Sequence, residues 1–198
     1  TASTLGFSDG LANGAMLPHA SQVANTWMPL IAYFDAPVEG AVTIELATYG
    51  NVKTYFDDVT VTAVGDDFAE NSSFEYLASA GSELRPAGWN FGDFLSTDPT
   101  TATNKYAVAS TTQVRTGSYS LEMKSTDLNA GNRVWKAVTG LTPGETYMLK
   151  GYMYLEALNG YYAGICIHAG TNGGTASWAT GLTDDALLPN ARDRKSVV

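Results

Sequence analysis

Short runs that alternate apolar and polar residues, separated by turn signals, dominate this chain. Ala41-Val-Thr-Ile-Glu-Leu-Ala47, Tyr55-Phe-Asp-Asp-Val-Thr-Val61, Tyr119-Ser-Leu-Glu-Met-Lys124 and Tyr147-Met-Leu-Lys-Gly-Tyr-Met-Tyr-Leu155 follow a period of two. That period puts one side-chain set on each face of an extended backbone. Turn residues lie between them, as in Pro37-Val-Glu-Gly40, Thr116-Gly-Ser118, Thr142-Pro-Gly144 and Asn159-Gly160. Pro143 presets one turn dihedral and Gly144 supplies the positive φ that follows. Helical periodicity is weak throughout, with room for one short turn over 8–16. Many short strands with frequent turns predict an all-β sandwich or barrel.

The two ends of the chain resemble each other. Residues 1–20 and 175–191 both open Thr-Ala-Ser and carry a Gly-apolar-Ser/Thr-Asp step (Gly6 to Asp9, Gly181 to Asp184). Both also close Leu-Pro-x-Ala (Leu17 to Ala20, Leu188 to Ala191). A repeat at this offset predicts that 1–64 is the back of one unit and 65–198 the front of the next. The two pieces are expected to close into one sandwich, as a circular permutant, or to complete halves from other molecules by strand exchange.

Charged residues make up 16% of the 198 residues, against roughly 25% in an average domain, and the net charge is −9. A chain so poor in Lys and Arg is a weak ligand for phosphate backbones, so nucleic acid and anionic membranes are not expected partners. Cys166 is the single cysteine. It sits in an apolar run and reads as a small buried hydrophobe. His168 would share its face on a strand, but nothing else in the sequence supports a catalytic thiol. No apolar run approaches the ~18–20 residues of a membrane helix. Low charge with much Thr, Asn and Gly predicts an extracellular or cell-surface setting.

Several segments together resemble a carbohydrate-binding module of the family 4/9/16/22 type. One half of the resemblance is Asn71-Ser-Ser-Phe-Glu75, Gly88-Trp89, Thr116-Gly-Ser-Tyr-Ser-Leu121, Val134-Trp-Lys-Ala-Val-Thr-Gly-Leu-Thr-Pro-Gly-Glu-Thr-Tyr147 and Gly151-Tyr-Met-Tyr154. The other half is Trp27 to Pro37, Ala41 to Leu46 and Tyr55-Phe-Asp-Asp-Val59. In that family the half with Asp-Asp-Val follows the half with Phe-Glu; here it comes first. The resemblance implies a jelly-roll β-sandwich, a structural calcium and a polysaccharide-binding cleft. It also implies that Trp27 and Trp89 pack in the core.

Simple alternation places Asp57 on the same face as Val59 and Val61, hence inward. A buried carboxylate needs a partner, and a hard cation is one. Asp57, with Asp58 beside it and Glu75 as the acid matching the family pattern, is the expected calcium set. The competing reading of the Asp pair is a solvated strand end or a turn cap. For sugar contacts the candidates are Trp135, Tyr161, Tyr162, Tyr106 and Phe94, with Arg133 flanking Trp135, because aromatic rings meet the C–H faces of sugars. Val134, Lys136 and Val138 are expected on one face, and Arg133 and Trp135 on the other. Gln113, Arg115 and Asn132 are weaker polar candidates. Glu122, Glu145, Glu156 and Asp127 read as solvated acids rather than the flanking pair of a glycosidase. No nucleophile elbow, Walker loop or dinucleotide fingerprint occurs. The expected function is therefore a non-catalytic polysaccharide-binding module. The alternative is a structural β-sandwich repeat of a filament, surface layer or adhesin.

Overall fold

The computed structural model describes residues 6–7, 25–63, 68–92, 105–126 and 131–171. Phe94 and the end repeats, apart from Gly6–Phe7, lie outside them. Among the described residues there is no helix, and none that is long and apolar enough to cross a membrane. The protein is all-β. Its strands are β1 (Gly6–Phe7), β2 (Trp27–Asp35), β3 (Ala41–Thr62), β4 (Leu77–Ala80), β5 (Glu83–Pro86), β6 (Asn90–Phe91), β7 (Lys105–Ser110), β8 (Ser120–Ser125), β9 (Gly131–Thr139) and β10 (Thr146–Ala169). All pairings are antiparallel.

Two strands organise the rest. β3 has 22 residues and β10 has 24, and they pair from Met148↔Thr62 to Ala169↔Val42. On the other edge of β3, β8 pairs with 52–56 and β9 with 41–49, so β8 and β9 lie end to end. β2 pairs with 146–154 of β10, β7 with β8, and β6 with β9. Strands from 25–63 and from 105–171 thus alternate within one sheet, while β4 and β5 form a separate hairpin.

The long strands cannot be straight. A Cβ built on Gly151 would overlap Ile165 Cδ1 of the same strand and come within 3.2 Å of Val59. Fourteen extended residues would separate Gly151 from Ile165 by about 45 Å at 3.3 Å per residue. The two halves of β10 therefore face each other, and β3, paired to it throughout, bends with it. The corner falls at Gly50 and Asn51 opposite Gly160 and Asn159. Gly50 has φ 98°, and Tyr161 is the extra residue of a bulge between Gly160 and Tyr162. Bends and bulges of this kind carry a strand from one layer of a sandwich to the next. The first layer holds β7, β8, β2, 52–62 of β3 and 146–157 of β10. The second holds β6, β9, 41–49 of β3 and 162–169 of β10.

Between the layers lies a single apolar core. The first layer contributes Leu30, Phe34, Phe56, Val59, Val61, Leu121, Met123, Leu149 and Met153; the second contributes Val42, Ile44, Leu46, Val134, Val138, Ile165 and Ile167. Trp89 belongs to this core, tilted against Phe74 at 5.2 Å and donating its indole N–H to Asn71 O. Trp27 does not, contrary to expectation. Its register partner Tyr154 is an outward residue, and Trp27 is half-buried on the outer face of the first layer. Pro29 lies on β2, on the stretch where β10 is its partner among the described residues. A proline has no N–H to offer an incoming strand, and edge positions are where a sheet tolerates it.

The close approach at Gly151 gives a direct test of the two-layer contact. Gly151→Ala should cost about 1–3 kcal/mol, as overpacking does. Ile165→Val, which removes Cδ1, should recover part of that loss in the double variant. Urea unfolding of the four proteins measures the coupling; strictly additive effects would refute the face-to-face contact.

Candidate functional site

A bulge decides where the acids of Tyr55-Phe-Asp-Asp-Val59 point. Asp57 pairs with Tyr152 and Thr60 with Lys150, so Asp58 and Val59 together face Gly151. Asp58 takes φ 48°, and the side-chain parity of β3 switches there. Phe56, Val59 and Val61 all point into the core. Asp57 shares the outer face with Tyr55 instead of the inner face with Val59, which corrects the simple alternation. It is nonetheless fully buried, because the loop 111–119 covers it.

The three expected metal ligands converge on that loop. Asp57 Oδ2 accepts the amides of Arg115 (2.9 Å) and Thr116 (3.2 Å), and Oδ1 accepts its neighbour Asp58 N (2.8 Å). Asp58 accepts the Thr116 hydroxyl at 2.6 Å and forms an ion pair with the Arg115 guanidinium. Glu75 accepts Ser118 N and Tyr119 N, both at 3.0 Å through Oε1. Gly117, at φ +70°, sits against the Glu75 carboxyl so closely that a Cβ would overlap it. In this arrangement the carboxylate oxygens of Asp57, Asp58 and Glu75 accept N–H and O–H donors of the loop and of Asp58 itself. Among the described residues no group of three or more His, Cys, Asp and Glu side chains is placed to hold a metal ion. The acids hold the 115–119 loop through these bonds.

The outer face of the first layer is polar and aromatic. Register places Trp27, Tyr154, Tyr55 and Glu122 side by side on β2, β10, β3 and β8. Trp27 and Tyr154 have ring centroids 5.6 Å apart, and Tyr154 and Tyr55 6.0 Å. One step along lie Lys53, Lys124 and Tyr106. A second bulge makes Glu156 the extra residue between Leu155 and Ala157. Its carboxylate accepts Lys53 Nζ (2.9 Å) and Tyr55 OH (3.1 Å). Glu122 accepts Tyr106 OH (2.5 Å) and Ser110 Oγ (2.9 Å). Glu122 and Glu156, read from the sequence as solvated acids, are ordering elements of this face.

The electrostatics follow from these contacts. The bond to Lys53 holds Glu156 below the usual carboxylate range, against the opposing effect of burial. Burial pushes Tyr55 up to about 12 although Lys53 opposes it. Burial and then the bond to Glu122 raise Tyr106. Burial would lower Lys53, but its bonds to Tyr55 and Glu156 win and raise it. At neutral pH the face therefore presents Lys53 charged, Glu156 charged, and both phenols neutral.

The sequence-derived aromatic candidates do not form one site. Tyr106 belongs to the face just described. Trp135 and Arg133 lie on the outer face of the second layer, with the guanidinium 4.8 Å from the Trp135 ring centroid and Arg133 largely buried. Val134 and Val138 point inward as expected. Tyr161 is the extra residue at the corner and Tyr162 pairs with Tyr49 in β3. Asn132 faces inward and ties the layers by donating to Lys124 O at 2.6 Å. Trp27, Tyr154 and Tyr152 were missed. Their signal lay in register across strands, which periodicity within one strand does not carry.

Cys166 and His168 do share a face, near Glu45, whose Oε2 lies 3.6 Å from His168 Nε2. Burial, then the negative charge of Glu45, pushes the Cys166 thiol well above its ordinary value. Burial, then the positive charge of Arg133, lowers His168. A neutral thiol beside a neutral imidazole gives no activated nucleophile. The chain matches no protein-family model, no curated protein and no solved structure.

Two outcomes test the loop clamp. Burial pushes Asp57 up to about 6 from 3.8, against the pull of the Arg115 and Thr116 amides. The folded form then binds the proton more tightly than the unfolded one. Asp57 thus contributes most stability below about pH 4, and that contribution is lost as pH rises through about 6, by up to about 3 kcal/mol. Urea midpoints from pH 4 to 7 should show the wild type losing ground relative to Asp57→Asn over this window; parallel profiles would contradict the shift. Separately, Gly117→Ala should destabilise by about 1–3 kcal/mol through its strained φ and the collision with Glu75. Pairing it with Glu75→Ala in thermal melts should show a smaller loss than the sum of the singles.

Proposed function

We propose that the outer face of the first layer is a non-catalytic glycan-binding platform. The observation that carries the proposal is the half-buried pair of rings Trp27 and Tyr154, 5.6 Å apart, with Tyr106 farther along the same face. Sugar rings expose C–H faces that stack on such surfaces, and their hydroxyls need hydrogen bonds at the rim. Lys53 and Glu156 stand at that rim, fixed by each other and by Tyr55. Groups already held in place lose little freedom on binding. A binding role suits the chemistry better than hydrolysis, because a general acid needs a raised carboxyl and Glu156 is held low. A secreted or cell-surface setting accords with this reading.

A structural repeat is the second reading. Ile31 and Tyr33, 36% and 50% exposed on β2, favour a contact surface for another molecule. Pro29 in the same strand weighs against strand pairing there. A mass that rises with concentration in light scattering, with no glycan binding, would support it.

Isothermal titration against soluble galactan, xylan, mannan and β-glucan tests the platform. Trp27→Ala and Tyr154→Ala should each weaken binding about tenfold, the equivalent of 1.4 kcal/mol. Trp135→Ala, on the other layer, should leave it unchanged. Loss of binding in Trp135→Ala alone would move the site to the second layer.

A further inference from the structure

The cations of this acidic chain are unevenly placed. Lys53, Arg115, Lys124 and Lys150 all reach the outer face of the first layer, and each lies over a tyrosine ring: Lys53 over Tyr55, Lys124 over Tyr106, and both Arg115 and Lys150 over Tyr152. Tyr152 is the sharpest case. The Arg115 guanidinium lies 3.5 Å and the Lys150 ammonium 5.1 Å from its centroid. Tyr152 and Tyr154 point the same way, two residues apart on β10, so this pair of cations adjoins the Trp27–Tyr154 platform.

Among the described residues no ion pair holds Lys150, so its ammonium is the charge of this cluster that no carboxylate takes up. Asp58 pairs with Arg115, and Asp57 is buried with its oxygens on the loop amides. Across the strand on the other side of Tyr152 is Pro29, which carries no charge. A guanidinium over a ring, with an ammonium over the same ring, suits a planar or tetrahedral oxyanion.

We infer that Arg115, Lys150 and Tyr152 form an anion subsite, so that the glycan taken by this face carries acid groups, carboxylate or sulfate. The inference rests on the platform reading: Trp27 and Tyr154 stack one sugar, and the acid of its neighbour meets the Arg115 guanidinium and the Lys150 ammonium beside Tyr152. Binding to this subsite is screened by salt, whereas stacking is not.

Titrating the full chain with polygalacturonate, a sulfated galactan and neutral galactan tests it, at about 0.05 M and about 0.5 M salt. At least one acidic polymer should bind about tenfold more tightly than neutral galactan at low salt, and the gap should shrink at high salt. Which acidic polymer binds better separates carboxylate from sulfate. Lys150→Gln should remove most of the preference while leaving neutral binding intact, with an unchanged melting temperature. Arg115→Gln serves as the second variant, with circular dichroism to check the loop it anchors. Equal binding of acidic and neutral polymers, or a preference that survives both substitutions, would overturn the anion subsite alone. Binding of none of the three, nor of xylan, mannan or β-glucan, would overturn the platform as well.

Discussion

The fold depends on one steric fact, the absence of a side chain at Gly151. It lets Ile165 and Val59 close over the strand, and so lets the two halves of β10 face each other. Everything else follows from that contact. Because β3 stays paired with β10 around the corner, β8 and β9 can share its other edge end to end. The core is then made from both ends of the same two strands. A larger residue at Gly151 would push apart layers that meet there with no room for a Cβ.

Bulges convert this frame into a site. One at Asp58 turns Asp57 outward beneath the 111–119 loop while keeping Phe56 and Val59 in the core. Another expels Glu156 from the β10 alternation and aims it at Lys53 and Tyr55. Each inserts a single residue, and each puts a carboxylate where an ideal strand would have put it on the wrong face or out of reach.

Alternation within strands was legible in the sequence, and it placed the all-β class, the strand over 41–47, and Val134 against Trp135 correctly. What it lacked was phase across a bulge. Asp57 reads as inward with Val59 only if 55–61 is regular, and positive φ at Asp58 makes it irregular. The candidate platform was less legible still. Trp27 and Tyr106 lie 127 and 48 positions from Tyr154 in sequence, and only pairing of β2, β10, β3, β8 and β7 brings them to one face. Family resemblance pointed toward Trp27 as core, whereas its pairing with Tyr154 puts it on the outer face; the loop amides that Asp57 and Glu75 accept are not legible from spacing within the chain.

Strands that pass through both layers leave this sandwich without a seam. In a sandwich of independent sheets, one layer can loosen while the other persists. Here β3 and β10 run through both, so peeling one layer drags the corner at Gly50 and Gly160 and exposes the other. The two outer faces, one carrying the Trp27–Tyr154 platform and the other the Trp135–Arg133 pair, are therefore mechanically continuous. Tension applied along either central strand is shared by every hydrogen bond of the ladder between them, and the molecule yields as one body.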